Sequence, residues 1–173
     1  MRTRSSKMTT KESIEKNARV VSEIFGGKLT LAIAESFTGG NIVASLVAIP
    51  GASSFVLEGL TCYSNESKSL RLGVKAETLD EFGAVSENTA REMIEGLLSS
   101  PLKPDFAVAT TGNAGPGVEP LSSPGECYVA VGNKTGISVK KLSLAGSREE
   151  NISVGTLEAL ENLIKFVKNQ RGE

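Results

Sequence analysis

The sequence predicts a layered α/β domain with a mixed sheet, and three observations carry that expectation. The chain has 173 residues, a length that suits one domain around one core. Segments with apolar residues at helical spacing alternate with short apolar runs, the order expected of helices layered on a sheet. Near the end, two strand-like runs flank Asn133 to Gly136, so a hairpin adds antiparallel strands.

Each element has its own local signal. Thr9 followed by Glu12 resembles a capping box, and Ile14, Ala18, Val21 and Phe25 predict a helix to about Phe25, ended by Gly26-Gly27. Lys28 to Glu35 reads as a strand buried on both faces. A helix follows Gly39-Gly40 and stops before Pro50. Phe55 to Tyr63 reads as a second strand. Ser64 caps a short helix to about Leu72, Ala76 to Phe82 forms another, and Ser86 caps a longer one ending near Ser99. Phe106 to Thr110 is a compact strand that enters a loop rich in Gly and Pro. Glu126 to Gly132 and Ile137 to Leu144 are the arms of the hairpin. Ser147 with Glu150 forms a second capping box and opens a helix to about Lys168. Residues 1–8, with Arg2, Arg4 and Lys7, are expected to form a disordered basic tail, and residues 9–170 a single domain.

Composition removes several classes of function. Apolar residues are 39% and charged residues 23%, an ordinary globular mixture, so no disordered or fibrous reading is needed. A net charge of −1 supplies no basic field, so neither a nucleic acid nor an anionic membrane is an expected partner. No apolar run approaches the roughly 20 residues that span a bilayer, and no signal-peptide core opens the chain, so a cytoplasmic location is expected. Histidine is absent, which excludes Ser-His-Asp and Cys-His catalysis and every His-ligated zinc site. Cys62 and Cys127 lie far apart in strand-like runs and are expected to be buried thiols, not a disulfide or metal site. No metal and no cofactor are expected. A homodimer is compatible with the sequence, though no segment in it specifies one.

Four segments contain residues suited to chemistry. Ala34-Glu35-Ser36-Phe37-Thr38-Gly39-Gly40 joins a buried strand to a helix start, where small residues would let a substrate approach free N–H groups. Ser36 there suits a nucleophile, with Thr38, Gly39 and Gly40 toward the substrate; a plain helix cap explains the same residues. In Tyr63-Ser64-Asn65-Glu66-Ser67-Lys68, Lys68 could act as a base and Tyr63 as a proton donor or relay, or Lys68 could simply be solvated and Tyr63 an amphipathic side chain. Thr111-Gly112-Asn113-Ala114-Gly115-Pro116-Gly117 could bring backbone close to a ligand, with Thr111, Gly112, Ala114 and Gly115 as contacts, or be a structural turn. It is neither a Walker loop nor a dinucleotide fingerprint. Arg148 opens a helix, where the dipole prefers an acid, so it could hold an anionic ligand or be a surface residue beside Glu149 and Glu150.

Taken together, these segments resemble the C-terminal domain of the CinA family. The Ala34–Gly40 stretch resembles that family's Ala-Glu-Ser-Cys/Leu-Thr-Gly-Gly motif, and Pro50-Gly51-Ala52-Ser53 its Pro-Gly-Ser-Ser turn. Tyr63–Lys68 with Leu72-Gly73-Val74, Gly83-Ala84-Val85-Ser86, and Thr111–Pro116 resemble its other markers, over about Glu12 to Val167. The resemblance implies a three-layer α/β/α sandwich that hydrolyses the carboxamide of nicotinamide mononucleotide, a small-molecule nucleotide substrate. It implies Ser36 as nucleophile, Tyr63 and Lys68 as its activating partners, Thr111 and the glycine loop as pocket lining, and Arg148 as a phosphate or substrate contact. On that scheme Tyr63 carries the proton between Ser36 and Lys68. Phe37 and Asn113 depart from the family pattern beside the expected pocket, and the stretch after Pro116 is reduced to Gly117-Val118-Glu119-Pro120. These departures leave room for a nucleotide-binding or regulatory module without turnover. Larger family members carry an additional N-terminal domain, whose functions are not carried over to these residues.

Overall fold

A computed structural model describes residues 8–117 and 120–172; most of the expected basic tail, and Val118 and Glu119, lie outside the described residues. The elements run α1 (Thr10–Phe25), β1 (Leu31–Glu35), α2 (Asn41–Val47), a 3-10 turn (Ala52–Ser54), β2 (Val56–Thr61), α3 (Asn65–Leu72), α4 (Ala76–Phe82), α5 (Glu87–Leu98), β3 (Phe106–Gly112), β4 (Glu126–Asn133), β5 (Gly136–Ser143) and α6 (Arg148–Arg171). They form a three-layer α/β/α sandwich around a five-stranded sheet of order β2-β1-β3-β4-β5. β2, β1 and β3 are parallel, and β4 and β5 join antiparallel, so the sheet is mixed.

Local chemistry fixes the helix ends. The Thr9 N–H donates to Glu12 Oε2 at 2.7 Å while the Glu12 N–H donates to Thr9 Oγ1 at 3.2 Å, a complete capping box. Ser147 and Glu150 repeat it at α6. Ser64 and Ser86 cap α3 and α5 through their hydroxyls.

The two faces of the sheet differ in side-chain size. Leu31, Ile33, Phe106, Val108, Val129 and Val131 pack under α1, α2 and α6. Ala32, Ala34, Ala107, Ala109 and Ala130 face α3 and α5. Alternation along each strand sorts the residues this way, and the alanine face lets α5 lie close to the sheet. On the other face Phe25 meets Phe55 and Phe106, each with ring centroids 5.8 Å apart.

Some expected boundaries are corrected. β1 starts at Leu31, not Lys28, because the Lys28 and Leu29 N–H groups turn back to the Phe25 carbonyl. β2 is shorter at both ends than Phe55 to Tyr63: Phe55 closes the 3-10 turn, and Ser64 already caps α3. β3 runs on to Gly112 because β4 pairs with it through Thr111↔Tyr128 and Gly112↔Cys127. α6 continues past Lys168 to Arg171, where Gly172 at φ 74 ends it.

Candidate active site

The strand order places a topological switch between β1 and β3: the chain leaves β1 for β2 on one side and returns to β3 on the other. Crevices open beyond the carboxyl ends of such strands. A cavity of about 90 Å³ lies there, lined by Ser36, Tyr63, Lys68, Thr111, Gly112, Ala114 and Arg148, together with Phe37, Asn65, Ala84, Val85 and Asn113.

Ser36 follows directly on β1, and its N–H donates to the Thr110 carbonyl at 2.9 Å. Alternation puts Ser36 on the same sheet face as Ala32 and Ala34, the face covered by α3 and α5. Lys68 comes from the middle of α3 on that face. It is 1% exposed, and its Nζ donates to Ser36 Oγ at 3.1 Å and to the Tyr63 carbonyl at 3.2 Å. Thr111 is buried beside Ser36 at the end of β3, and its hydroxyl donates to the Ala84 carbonyl. At the exposed mouth, Arg148 Nη1 donates to the Gly115 carbonyl and Nη2 to the Tyr63 hydroxyl, both at 2.8 Å.

Several expected placements differ. Tyr63 does not stand between Ser36 and Lys68. Its carbonyl accepts from Lys68 Nζ, while its phenol, 62% exposed, accepts from Arg148, so the phenol is not on the path the expected relay requires. Thr38, Gly39 and Gly40 do not line the cavity. The N–H groups at the start of α2 are also not free for a ligand: the Glu35 carboxylate accepts from Gly40 and Ile42 at 3.0 Å and from Val43 at 2.9 Å. Thr38 is fully buried and donates its hydroxyl proton to the same carboxylate. Gly39 and Gly40 have φ 61 and 104, a backbone region that favours glycine, so they serve the turn. Gly115 lies outside the lining and acts through its carbonyl on Arg148.

Three further residues shape the site: Asn113 and Phe37, expected beside the pocket but not as contacts, and Asn151, which was not expected there. Asn113 turns the glycine loop: its Oδ1 accepts from the Gly115 N–H at 2.9 Å and its Nδ2 donates to the Gly117 carbonyl at 2.8 Å. Asn151, 4% exposed, donates to the Ala114 carbonyl at 3.1 Å and so ties α6 to that loop. A polar residue at an inward position of α6 was the only available hint. Phe37 lies against two glycines; a Cβ on Gly112 would come within 2.5 Å of its Cδ2 and one on Gly155 within 2.6 Å of its Cε1. Both cysteines are buried and free, and burial pushes the Cys127 thiol far above its ordinary range. Among the described residues, no group of three or more His, Cys, Asp or Glu side chains could hold a metal ion. Among them too, no helix is long and apolar enough to cross a membrane.

Comparison with known proteins places this geometry among relatives. The family model described as CinA C-terminal domain matches residues 13–167. A CinA-like protein of Fusobacterium nucleatum is 41% identical over 143 residues, covering 82% of this chain and 34% of that protein. The chain spans about a third of the length of the curated relatives it matches. Among solved structures, the competence/damage inducible protein CihA of Agrobacterium tumefaciens has a TM-score of 0.82 at 37% identity, covering 88% of this chain and 94% of that one. A CinA superfamily protein of Klebsiella pneumoniae has a TM-score of 0.83 at 32% identity, covering 94% and 99%.

Proposed function

The chain belongs to the CinA C-terminal domain family, and on that premise we propose that it is a serine amidase that converts nicotinamide mononucleotide and water to nicotinate mononucleotide and ammonia. The observation that carries the reading is the buried Lys68 amine on the Ser36 hydroxyl at 3.1 Å. A serine hydroxyl is a weak nucleophile at neutral pH and needs a base. Lys68 Nζ lies within hydrogen-bond reach of Ser36 Oγ, and a lysine side chain in its neutral form can take that proton.

Ser36 Oγ attacks the carboxamide carbon as its proton passes to Lys68. The tetrahedral intermediate collapses with cleavage of the C–N bond, and the Lys68 proton leaves with the nitrogen as ammonia. Water then attacks the Ser36 ester, giving its proton to Lys68, and the acid is released as Ser36 is re-protonated. Ser36 and Lys68 are buried and Arg148 is exposed, so a carboxamide at Ser36 would direct the phosphate outward, toward Arg148 at the mouth. There Arg148 is held by two neutral acceptors, so its charge is left to an anionic group. Binding energy collected there orients the ring at Ser36.

Ammonia release from nicotinamide mononucleotide, with nucleotide binding measured in parallel, tests the reading. Ser36→Ala is expected to abolish nearly all turnover while nucleotide affinity stays close to wild type. Wild-type protein that binds the nucleotide and releases no ammonia would make the domain a nucleotide-binding module instead.

A further inference from the structure

Glu35 is a fully buried carboxylate that the reaction scheme does not use. Alternation along β1 turns its side chain to the face opposite Ser36, and it does not line the cavity. Its oxygens are nevertheless engaged by four donors. Oε2 accepts from the Thr38 hydroxyl and from the Gly40 and Ile42 N–H groups, and Oε1 accepts from the Val43 N–H. Three of these are the N–H groups that a helix start leaves without partners, at the end where the dipole favours negative charge. Thr38 Oγ1 also lies 2.8 Å from Thr110 Oγ1. Thr38 has one hydroxyl proton and gives it to Glu35, so Thr110 is the donor in that contact. A directed, buried chain therefore runs from β3 through Thr110 and Thr38 to Glu35, and from Glu35 into α2.

The geometry points to Glu35 as a positioning residue for the nucleophile, clamping the Ser36–Gly40 turn to the ends of β1 and β3 and to the start of α2. The inference rests on the reading of Ser36 as the attacking group. Ser36 is held from one side by Lys68 and by its own N–H on the Thr110 carbonyl. Glu35 fixes the same turn from the other side, without reaching substrate. Misplacing a reacting group by about 1 Å can lower a rate on the order of 100-fold, so such a clamp acts on rate more than on binding.

Two substitutions break the chain at different links. Glu35→Gln turns one acceptor into an NH2 group that faces N–H donors. Thr38→Val keeps shape but removes the proton that Glu35 accepts. For each variant, kcat and KM for ammonia release, Tm, and the rate of Ser36 phosphonylation by a fluorophosphonate are measured well below Tm. That reagent forms a P–O bond to Ser36 with loss of fluoride and needs no nucleotide recognition. The expected result is a fall of roughly ten-fold or more in both kcat and phosphonylation rate, KM changed by less than about two-fold, and recovery of most of the rate in Thr38→Ser. Folded Glu35→Gln and Thr38→Val that keep both rates within about two-fold of wild type overturn the inference, even if Tm falls, because Glu35 then serves stability alone. If Glu35→Gln does not fold, the pair Thr38→Val and Thr38→Ser decides. Wild type that is phosphonylated at Ser36 but releases no ammonia defeats the amidase reading and leaves the phosphonylation rates to judge Glu35. Wild type that does neither defeats both.

Discussion

Tyr63 shows how one side chain's job depends on which of its atoms is used. Its carbonyl, 3.2 Å from Lys68 Nζ, bears on the proposed base, and its phenol, 2.8 Å from Arg148 Nη2, bears on the mouth. Tyr63→Phe keeps the carbonyl and removes only the hydroxyl. The expected outcome is therefore a KM for the phosphorylated substrate raised several-fold with kcat nearly unchanged, since Arg148 loses one of two acceptors. Steady-state kinetics on the purified variant decide it. A large loss of kcat at constant KM would return the phenol to proton transfer. Arg148 itself is not replaceable by lysine on this geometry, because a single ammonium cannot match the guanidinium fork that reaches Gly115 and Tyr63 together.

Helices α3 and α6 each deliver one side chain of the proposed site, so their seating should be visible in kinetics. α3 carries Lys68 and ends at Leu72 against Gly96 of α5. A Cβ on Gly96 would lie 2.0 Å from the Leu72 carbonyl oxygen, with backbone atoms that cannot rotate away. Gly96→Ala is expected to cost about 1–3 kcal/mol by overpacking and to lower kcat, because α3 must shift with Lys68 on it. Denaturant unfolding and kcat are read on the same sample, and a lost stability with unchanged kcat would mean that only the last turn yields. α6 carries Arg148 in its first turn, set by the Ser147–Glu150 capping box. Ser147→Ala is expected to cost about 1 kcal/mol and to raise KM more than it lowers kcat. The same cap gives a pH dependence. The Ser147 N–H, then its hydroxyl, hold the Glu150 carboxyl below its ordinary value of 4.5. A carboxyl lowered on folding contributes stability that is complete above the unfolded value and is lost as pH falls through the folded one. Thr9 does the same for Glu12. Stability measured against pH should therefore fall below about pH 4.5 in wild type, with a shallower fall in Ser147→Ala.

Across the whole molecule, the sheet separates two cores, and each contains one cysteine. Cys62 lies in the core beneath α3 and α5, Cys127 in the core beneath α1, α2 and α6. Burial, and then the charge of Glu158, push the Cys127 thiol upward, so it is held in the unreactive protonated form. Both thiols are expected to resist a disulfide reagent in the native state and to become reactive together along a denaturant titration, with the midpoint of the far-UV signal, as a single cooperative unit requires. Cys62 reacting at lower denaturant than Cys127 would show that the layer carrying Lys68 opens separately. The sheet makes separate opening costly, because both cores share β1, β3 and β4.

Much of this was legible in the chain alone, and the reason is range. A capping box links residues three apart, a strand's facing follows from alternation, and a hairpin needs one turn. Thr9 with Glu12, Ser147 with Glu150, and the pair of strands around Asn133 were therefore readable without any partner. The residue types of the site were readable too, since Ser36 follows β1, Thr111 lies at the end of β3, Lys68 sits one turn into α3 and Arg148 opens α6. Their assembly was not. Ser36 and Lys68 are 32 residues apart, and only the strand order β2-β1-β3 brings α3 over the end of β1. That same packing turned the Glu35 carboxylate, not a ligand, onto the helix start, and set the Tyr63 phenol on Arg148 instead of Lys68. Which donor meets which acceptor at such distances is set by the competition of all buried polar groups for partners, and that competition exists only once the chain is packed.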